Sequence, residues 1–321
     1  MQYTQLGNTG LRVSRLCLGT MQFGWTADER ASFAVLDAFA QAGGNFLDTA
    51  DVYSRWAKGN RGGESERIIG RWMRERGNRD SLVLATKVRG AMWRGSDGEG
   101  LSRSHIMRAA EESLRRMQVE AIDLYQCHSY DEKTPIEETL RAFEDLVQQG
   151  KVRHIGASNY PSPLLTAALD ASTASGLPAF ATLQPHHSLV HRGEYETGLA
   201  PICIERGLAV IPYSPLGAGF LTGKYERGGP RVESARAGRV AQYFTDAGWA
   251  ALAAVRAVAS ARAVAPATVA LAWQMAQPGI TVPIIGANSP AQLAEQLPAV
   301  DLDLAADELA ALNEASLPFL H

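Results

Sequence analysis

Along the chain, short apolar runs alternate with longer stretches whose apolar residues recur every three or four positions. The runs RLCLG, NFLD, LVLATK, DLYQCH, HIGAS, ATLQ, AVIPYS and TVPII are too short for helices and read as buried strands. Helices are predicted between them over residues 28–42, 65–76, 102–117, 136–149, 163–175 and 198–206. Two more are predicted over 249–262 and 267–277, after a glycine-containing segment at 217–248 that is too long for a connector and is expected to be functional or mobile. Within 102–117, Ile106, Ala110, Leu114 and Met117 share one face, and Ser102 is placed to cap the first turn. An Asn-Thr-Gly turn between alternating pieces at residues 3–6 and 11–13 predicts an N-terminal β-hairpin.

Strand and helix taking turns about eight times is the rhythm of a parallel sheet closed into a (β/α)8 TIM barrel, here with an N-terminal β-hairpin and C-terminal helices. Residues 1–321 are read as one such domain, a length within the usual span of that architecture. A doubly wound open sheet is the alternative, weakened because no GxGxxG follows the first strand. The content of 46% hydrophobic and 20% charged residues suits a large core, and a net charge of -3 gives no basic stripe for nucleic acid or an anionic membrane. Arg115 and Arg116 read as part of a solvated helix face. Cys17, Cys127 and Cys203 are odd in number and set in apolar runs, as reduced core thiols are. With no signal-peptide pattern and no long apolar span, a cytoplasmic protein is expected. No feature of the sequence specifies an oligomeric state.

In such a barrel, chemistry sits at the C-terminal strand ends. These carry Thr20 and Met21, Asp48 with Tyr53, Lys87, His128, Ser158 and Asn159, Gln184, Tyr213 and Ser214, and then Gly286, Ala287 and Asn288. Asp48, Tyr53, Lys87 and His128 follow adjacent strands. An ammonium beside a phenol stabilises phenolate and lowers the phenol pKa; a carboxylate keeps that ammonium charged, and a histidine can donate to a substrate oxygen. The set can protonate a carbonyl oxygen as it becomes an alkoxide. A hydride is then required, which no side chain supplies, so a cofactor is expected. Ser158, Asn159 and Gln184 suit a carboxamide, and Tyr213 a stacked ring. SPLGAGFLTGKY offers a hydroxyl, backbone amides and Lys224 to a pyrophosphate.

The segments GGNFLDTADVY, ATK, DLYQCH, GASN, PYSPLG and PIIGANSPAQLAEQ, in this order, make the whole chain similar to the aldo-keto reductase family, near the branch of potassium-channel β subunits and bacterial aldo/keto reductases. The resemblance implies a (β/α)8 barrel and hydride transfer between a nicotinamide and a carbonyl or alcohol substrate. It implies Tyr53 as the proton donor, supported by Asp48, Lys87 and His128. It further implies NADP as the favoured cofactor, with NAD the alternative, lying along Gly19, Thr20, Met21, Ser158, Asn159, Gln184, Tyr213, Ser214, Leu216, Gly217 and Lys224. Many members place an arginine or lysine after the last strand for the 2′-phosphate; here stand Asn288, Ser289 and Gln292. Lys224 and Arg236 in the long preceding segment are the expected substitutes, with Arg231 competing, while Gly286 also lies along the cofactor and Glu295 and Gln296 address the adenine. Trp25, Trp56, Trp93 and Tyr130 are expected to line an aromatic substrate pocket.

Three rival readings accompany this one. A nucleotide-sensing regulatory subunit resembling the channel β subunits would keep the same four residues. A Schiff-base aldolase would use Lys87 unprotonated. A zinc site at His186, His187 and Cys203 lacks ligand spacing, and no metal is expected. Asp51 reads as a loop acid without a catalytic role.

Overall fold

In the computed structural model, which describes every residue except Ser96, Arg231, Ser234 and Arg236, the apolar runs are parallel strands and the amphipathic runs helices packed outside them. A hairpin of β1 (Tyr3–Gln5) and β2 (Arg12–Ser14) comes first. The repeating part runs β3 (Cys17–Gly19), α1 (Glu29–Gln41), β4 (Phe46–Asp48), α2 (Glu64–Arg76), β5 (Val83–Val88), α3 (Arg103–Met117), β6 (Ile122–Cys127), α4 (Ile136–Gln148) and β7 (Val152–Ser158). It continues through α5 (Ser162–Ser175), β8 (Thr182–Gln184), α6 (Ala200–Arg206), β9 (Ala209–Val210), α7 (Ala237–Val240), α8 (Asp246–Arg262), α9 (Pro266–Met275) and β10 (Ile284–Ile285), and ends with α10 (Pro290–Ala294) and α11 (Ala306–Ala315).

The eight-stranded parallel sheet has the order β10-β3-β4-β5-β6-β7-β8-β9. Backbone bonds from Val282 to the Val210 carbonyl (3.1 Å) and from Ile284 to the Pro212 carbonyl (2.8 Å) join its two edges, so the sheet curls into the (β/α)8 arrangement. Strands β5 and β6 are buried at every position, which explains their nearly continuous apolar sequence. One core fills the barrel interior, where the hairpin adds Leu6 and Val13 to Phe46, Leu124 and Ile211. A larger one lies between strands and helices, and a third packs Phe220, Trp273 and Val255 beneath the segment that precedes α8. Among the described residues no single helix is long and apolar enough to cross a membrane; α8 and α9 together pass that test of length and composition but are bent 103° at their junction.

Helix starts follow the capping chemistry. Asp28 and Ser102 accept from Ala31 N and His105 N at the heads of α1 and α3. Thr245 caps α8 through Gly248 N, so that helix begins three residues before the expected position 249. The expected helix at 198–206 differs too. A π-helical turn at Glu194–Leu199 runs into α6, and Pro201, without an amide proton, supplies no α-type bond at that junction. The segment at 217–248 contains 3-10 turns at Gly217–Thr222 and Ala241–Tyr243 and the short α7 rather than irregular chain throughout. Arg116 is not on a solvated face: its side chain is 10% exposed and pairs with the fully buried Glu66 at 2.5 Å.

Helices α2 and α3 meet where Gly70 removes a side chain. A Cβ there would stand 2.6 Å from the Arg116 carbonyl and 2.7 Å from that of Met117. These are backbone atoms that cannot swing aside, so Gly70→Ala is expected to destabilise by about 1–3 kcal/mol despite alanine's better helix propensity, readable as a lowered denaturation midpoint.

Candidate active site

Register brings the polar strand ends together. Asp48 is the last residue of β4 and pairs with Ala85, so Lys87, two residues further along β5, faces the barrel mouth on the same side as Ala85. Lys87 pairs in turn with Gln126, and Ser158 with Gln184. The fully buried Lys87 ammonium donates to Asp48 Oδ2 at 2.6 Å, to the Thr49 carbonyl at 2.8 Å and to the Tyr53 hydroxyl at 2.9 Å. Asp48 Oδ1 accepts from Gln184 Nε2 at 2.9 Å and Gln126 Nε2 at 3.2 Å. His128 stands edge-on to Tyr53, with ring centroids 5.8 Å apart.

The loop to Tyr53 is tied at both ends. Thr49 N bonds the Ala85 carbonyl at 2.9 Å. Ser54, at φ 65°, buries its hydroxyl on the Phe23 carbonyl at 2.7 Å. A left-handed serine is costly, and Asn159 (φ 54°), Ser214 (φ 57°) and Ala218 (φ 56°) on the cavity wall share that strain, which clusters at functional sites.

Electrostatics separate the roles. Burial works against the Lys87 charge, but Asp48 and Tyr53 outweigh it and hold the pKa above its ordinary value, so the amine stays protonated. Burial also raises the Tyr53 phenol, with Asp48 adding to the rise and Lys87 opposing it. The expected lowering is therefore not the net result, because burial outweighs the Lys87 ammonium. The phenol stays protonated at neutral pH, as a proton donor must. Burial first, then Lys87 and Arg89, push His128 down to about 3, so it is neutral and can donate a hydrogen bond without carrying charge.

Asp48, Tyr53 and His128 line a cavity of about 920 Å³, near the upper end of the 300–1,000 Å³ usual for cofactor and ligand sites, while Lys87 is buried off its lining. The cavity is lined by Gly19, Thr20, Met21, Asp48, Tyr53, Trp56, His128, Ser158, Asn159, Gln184, Tyr213, Ser214, Leu216, Lys224, Gly286, Asn288, Gln292 and Glu295. Several have part of their bonding capacity already spent. The Thr20 hydroxyl donates to the Asp48 carbonyl at 2.9 Å, and Ser158 Oγ to the Gln184 carbonyl at 2.8 Å. Asn159 donates to the His128 carbonyl at 2.9 Å and accepts from the Tyr213 hydroxyl at 2.8 Å. Tyr213 in turn stacks on His186 at 5.1 Å, and His186 on His191 at 3.8 Å, so the ring is held flat from behind.

At the far end Lys224 lies beside Gly219, where a Cβ would approach its Nζ to 3.5 Å. Thr222 donates to the Gly219 carbonyl at 2.8 Å, and Ser214 and Arg239 line the same cavity. Hydroxyls, cations and a glycine turn on one cavity wall are the kind of donor set a diphosphate needs. Gly217 is not on the lining; it stands behind the wall against Val190. Arg236, like Arg231, lies outside the described residues.

The aromatic expectations divide. Trp56, 49% exposed, lines the cavity, and Trp25 supports it edge-on at 5.5 Å from outside the lining. Trp93 and Tyr130 are not on the lining. Trp93 packs on His105 at 4.8 Å under the Arg108 guanidinium at 4.1 Å, and Tyr130 sits edge-on to Tyr160 at 5.5 Å. Gln126, Gln22, Thr26 and Arg239 had no place in the sequence reading. Gln22 ties the Gly19 carbonyl (3.1 Å) to that of Ala287 (2.9 Å), and Thr26 holds Asn288 at 2.7 Å. Among the described residues no three His, Cys, Asp or Glu side chains converge as a metal site, and His187 instead bonds Glu196 at 3.0 Å.

A model of the Aldo/keto reductase family matches residues 15–317. The chain is 38% identical to the uncharacterized oxidoreductase YrpG of Bacillus subtilis (strain 168), over 98% of this chain and 95% of that protein. It is 32% identical to a probable voltage-gated potassium channel subunit beta of Oryza sativa subsp. japonica, over 94% and 92%. With an aryl-alcohol dehydrogenase [NADP(+)] of Phanerodontia chrysosporium it shares 33% identity over 97% and 84%.

Proposed function

The chain belongs to the aldo/keto reductase family and is an oxidoreductase, and on that premise we propose that it reduces an aldehyde or ketone at the expense of a nicotinamide dinucleotide, NADPH in preference to NADH, or runs the reverse alcohol oxidation. The observation that carries this reading is the Lys87 ammonium held at hydrogen-bond distance from both Asp48 and the Tyr53 hydroxyl on the cavity wall. When bound, the reduced nicotinamide supplies the hydride that adds to the carbonyl carbon. The Tyr53 hydroxyl gives its proton to the carbonyl oxygen as charge develops there, and the phenolate left behind is stabilised by Lys87. Asp48, itself fixed by Gln126 and Gln184, keeps Lys87 charged and in place. Neutral His128 donates a second hydrogen bond to the same oxygen. Asn159, Ser158 and Gln184 orient the carboxamide, Tyr213 backs the ring, and Lys224 with Arg239 meets the phosphates. The persistently protonated Lys87 counts against an amine nucleophile and hence against Schiff-base chemistry.

A second reading, a dinucleotide-sensing regulatory subunit, draws support from the likeness to the probable channel subunit beta. Titration with NADPH and NADH, followed by a panel of aryl and alkyl carbonyls with the tighter cofactor, decides between them. Rapid turnover supports the reductase; tight binding with no turnover on any carbonyl supports the sensor. Lys224→Ala should weaken dinucleotide binding by about 10–100-fold, the worth of a charge-assisted contact, with no change in circular dichroism. An unaltered Kd would remove Lys224 from the phosphate site.

A further inference from the structure

The loop that carries Tyr53 contains a residue in an unusual environment. Asp51 is fully buried, yet neither carboxyl oxygen makes a hydrogen bond of normal geometry among the described residues. The groups facing it come from four elements. Helix α2 contributes Glu66, also fully buried, and α3 contributes Arg116. Strand β5 contributes Lys87, already committed to Asp48, Thr49 and Tyr53. Strand β6 contributes Tyr125, whose buried hydroxyl also lacks a partner and which lies within the field of Asp51, Glu66 and Arg116. Glu66 accepts from Arg116 Nε at 2.5 Å and from the Thr86 hydroxyl at 2.7 Å. Two carboxyls therefore share one cation, Arg116, which is bonded to Glu66 and also donates to Ser113 Oγ at 3.0 Å. The packing around it is tight, since a Cβ on Gly63 would come within 2.3 Å of Arg116 Cδ.

We propose that Asp51 and Glu66 carry a single negative charge between them, balanced by Arg116, and that the neutral Asp51 is a positioning residue seating the Tyr53 loop on the barrel. Glu66 holds the charge, because both donors are aimed at it. Burial, reinforced by Glu66, lifts Asp51 well above the ordinary carboxylate range against Arg116, the Val52 amide and Lys87. An ionised Asp51 would draw on the ammonium that the Tyr53 phenolate needs, so its neutrality protects the acid–base pair. That benefit rests on the carbonyl chemistry proposed above, whereas the charge state of the pair belongs to the fold and is tested without turnover. A carboxyl raised in the folded state keeps a proton that the opened loop releases. Seating is therefore strongest below the ordinary carboxylate range and weakens as pH rises towards the folded value.

The infrared difference between wild type and Asp51→Asn at pH 7 is expected to show the carbonyl stretch of one protonated carboxylic acid in the wild type. Glu66→Gln should abolish the same band, because the remaining carboxyl then has Arg116 to itself. Amide hydrogen exchange over residues 49–53, corrected for intrinsic base catalysis, should quicken by about tenfold per pH unit in the wild type relative to Asp51→Asn. A difference spectrum without the protonated-acid band overturns the charge assignment, and parallel exchange profiles overturn the seating role. None of these measurements uses nucleotide or substrate, so a protein that reduced no carbonyl would leave the outcome readable.

Discussion

Tyr53→Phe is expected to lower the rate of carbonyl reduction by about 10²–10⁴-fold while dinucleotide affinity stays within about twofold. The substitution removes one oxygen and keeps the ring, so the edge-on contact with His128 survives. It removes both the proton that the developing alkoxide takes and the group on which Lys87 acts at 2.9 Å. Neutral His128 remains as a hydrogen-bond donor, which is why a residual rate is expected rather than none. Single-turnover measurement with saturating NADPH isolates the chemical step from product release, which limits turnover in many enzymes. The pH dependence carries a sign. Because Tyr53 is raised above its ordinary value of 10.0, the wild-type phenol remains a donor throughout the neutral range, and its own loss lies above that value. The variant should lack that high-pH ionisation. An unchanged single-turnover rate in the Tyr53→Phe enzyme would sink the proton-donor role.

Much of this site is legible in the sequence because a closed parallel sheet fixes where strand ends go. Asp48, Lys87 and His128 each end or follow an apolar run, and register puts Asp48 and Lys87 at neighbouring strand ends, where their side chains meet at 2.6 Å. What escaped is what depends on side-chain direction. Gln126 is hidden inside DLYQCH, yet it lies two residues before His128 and opposite Lys87. A polar residue at that position of an otherwise buried strand was the available signal. Gln184 reads as a ligand amide, and only the packed structure shows its Nε2 on Asp48. Trp93 and Tyr130 follow strands as faithfully as Trp56 does, but loop conformation decides which indole or phenol meets the cavity, and nothing in their spacing encodes it. Arg116 is a similar case: it reads as a solvated helix charge, yet its side chain is only 10% exposed and pairs with the buried Glu66. The hairpin, the alternation and most helix starts, by contrast, are set by local chemistry and agree with the structure to within a residue or two.

The largest effect on stability is expected at the other end of the acid–base pair. Lys87→Met keeps an unbranched apolar stem and removes the only ammonium on Asp48, leaving a carboxylate 1% exposed with two amide donors and no cation at bonding distance among the described residues. Breaking a buried pair in this one-sided way costs about 3–5 kcal/mol, so a marked fall in the denaturation midpoint at pH 7 is the expected result. Asp48→Asn alone should cost a similar amount by stranding Lys87. The double variant, Asp48→Asn with Lys87→Met, strands neither charge and should recover most of that loss, since a neutral amide can still be bonded by Gln126 and Gln184. Turnover should not recover with it, because Tyr53 then has no ammonium to stabilise its phenolate. In the wild type the sign is set by Lys87: its pKa is raised, so the pair's contribution is fully present below the lysine's ordinary value of 10.5 and is lost as pH climbs through the folded one. The midpoint difference between wild type and double variant should therefore stay flat from neutral pH to about that value and narrow beyond it. Recovery of stability without recovery of the single-turnover rate separates what the ion pair does for the fold from what it does for proton transfer; recovery of both would mean that Lys87 serves the fold alone.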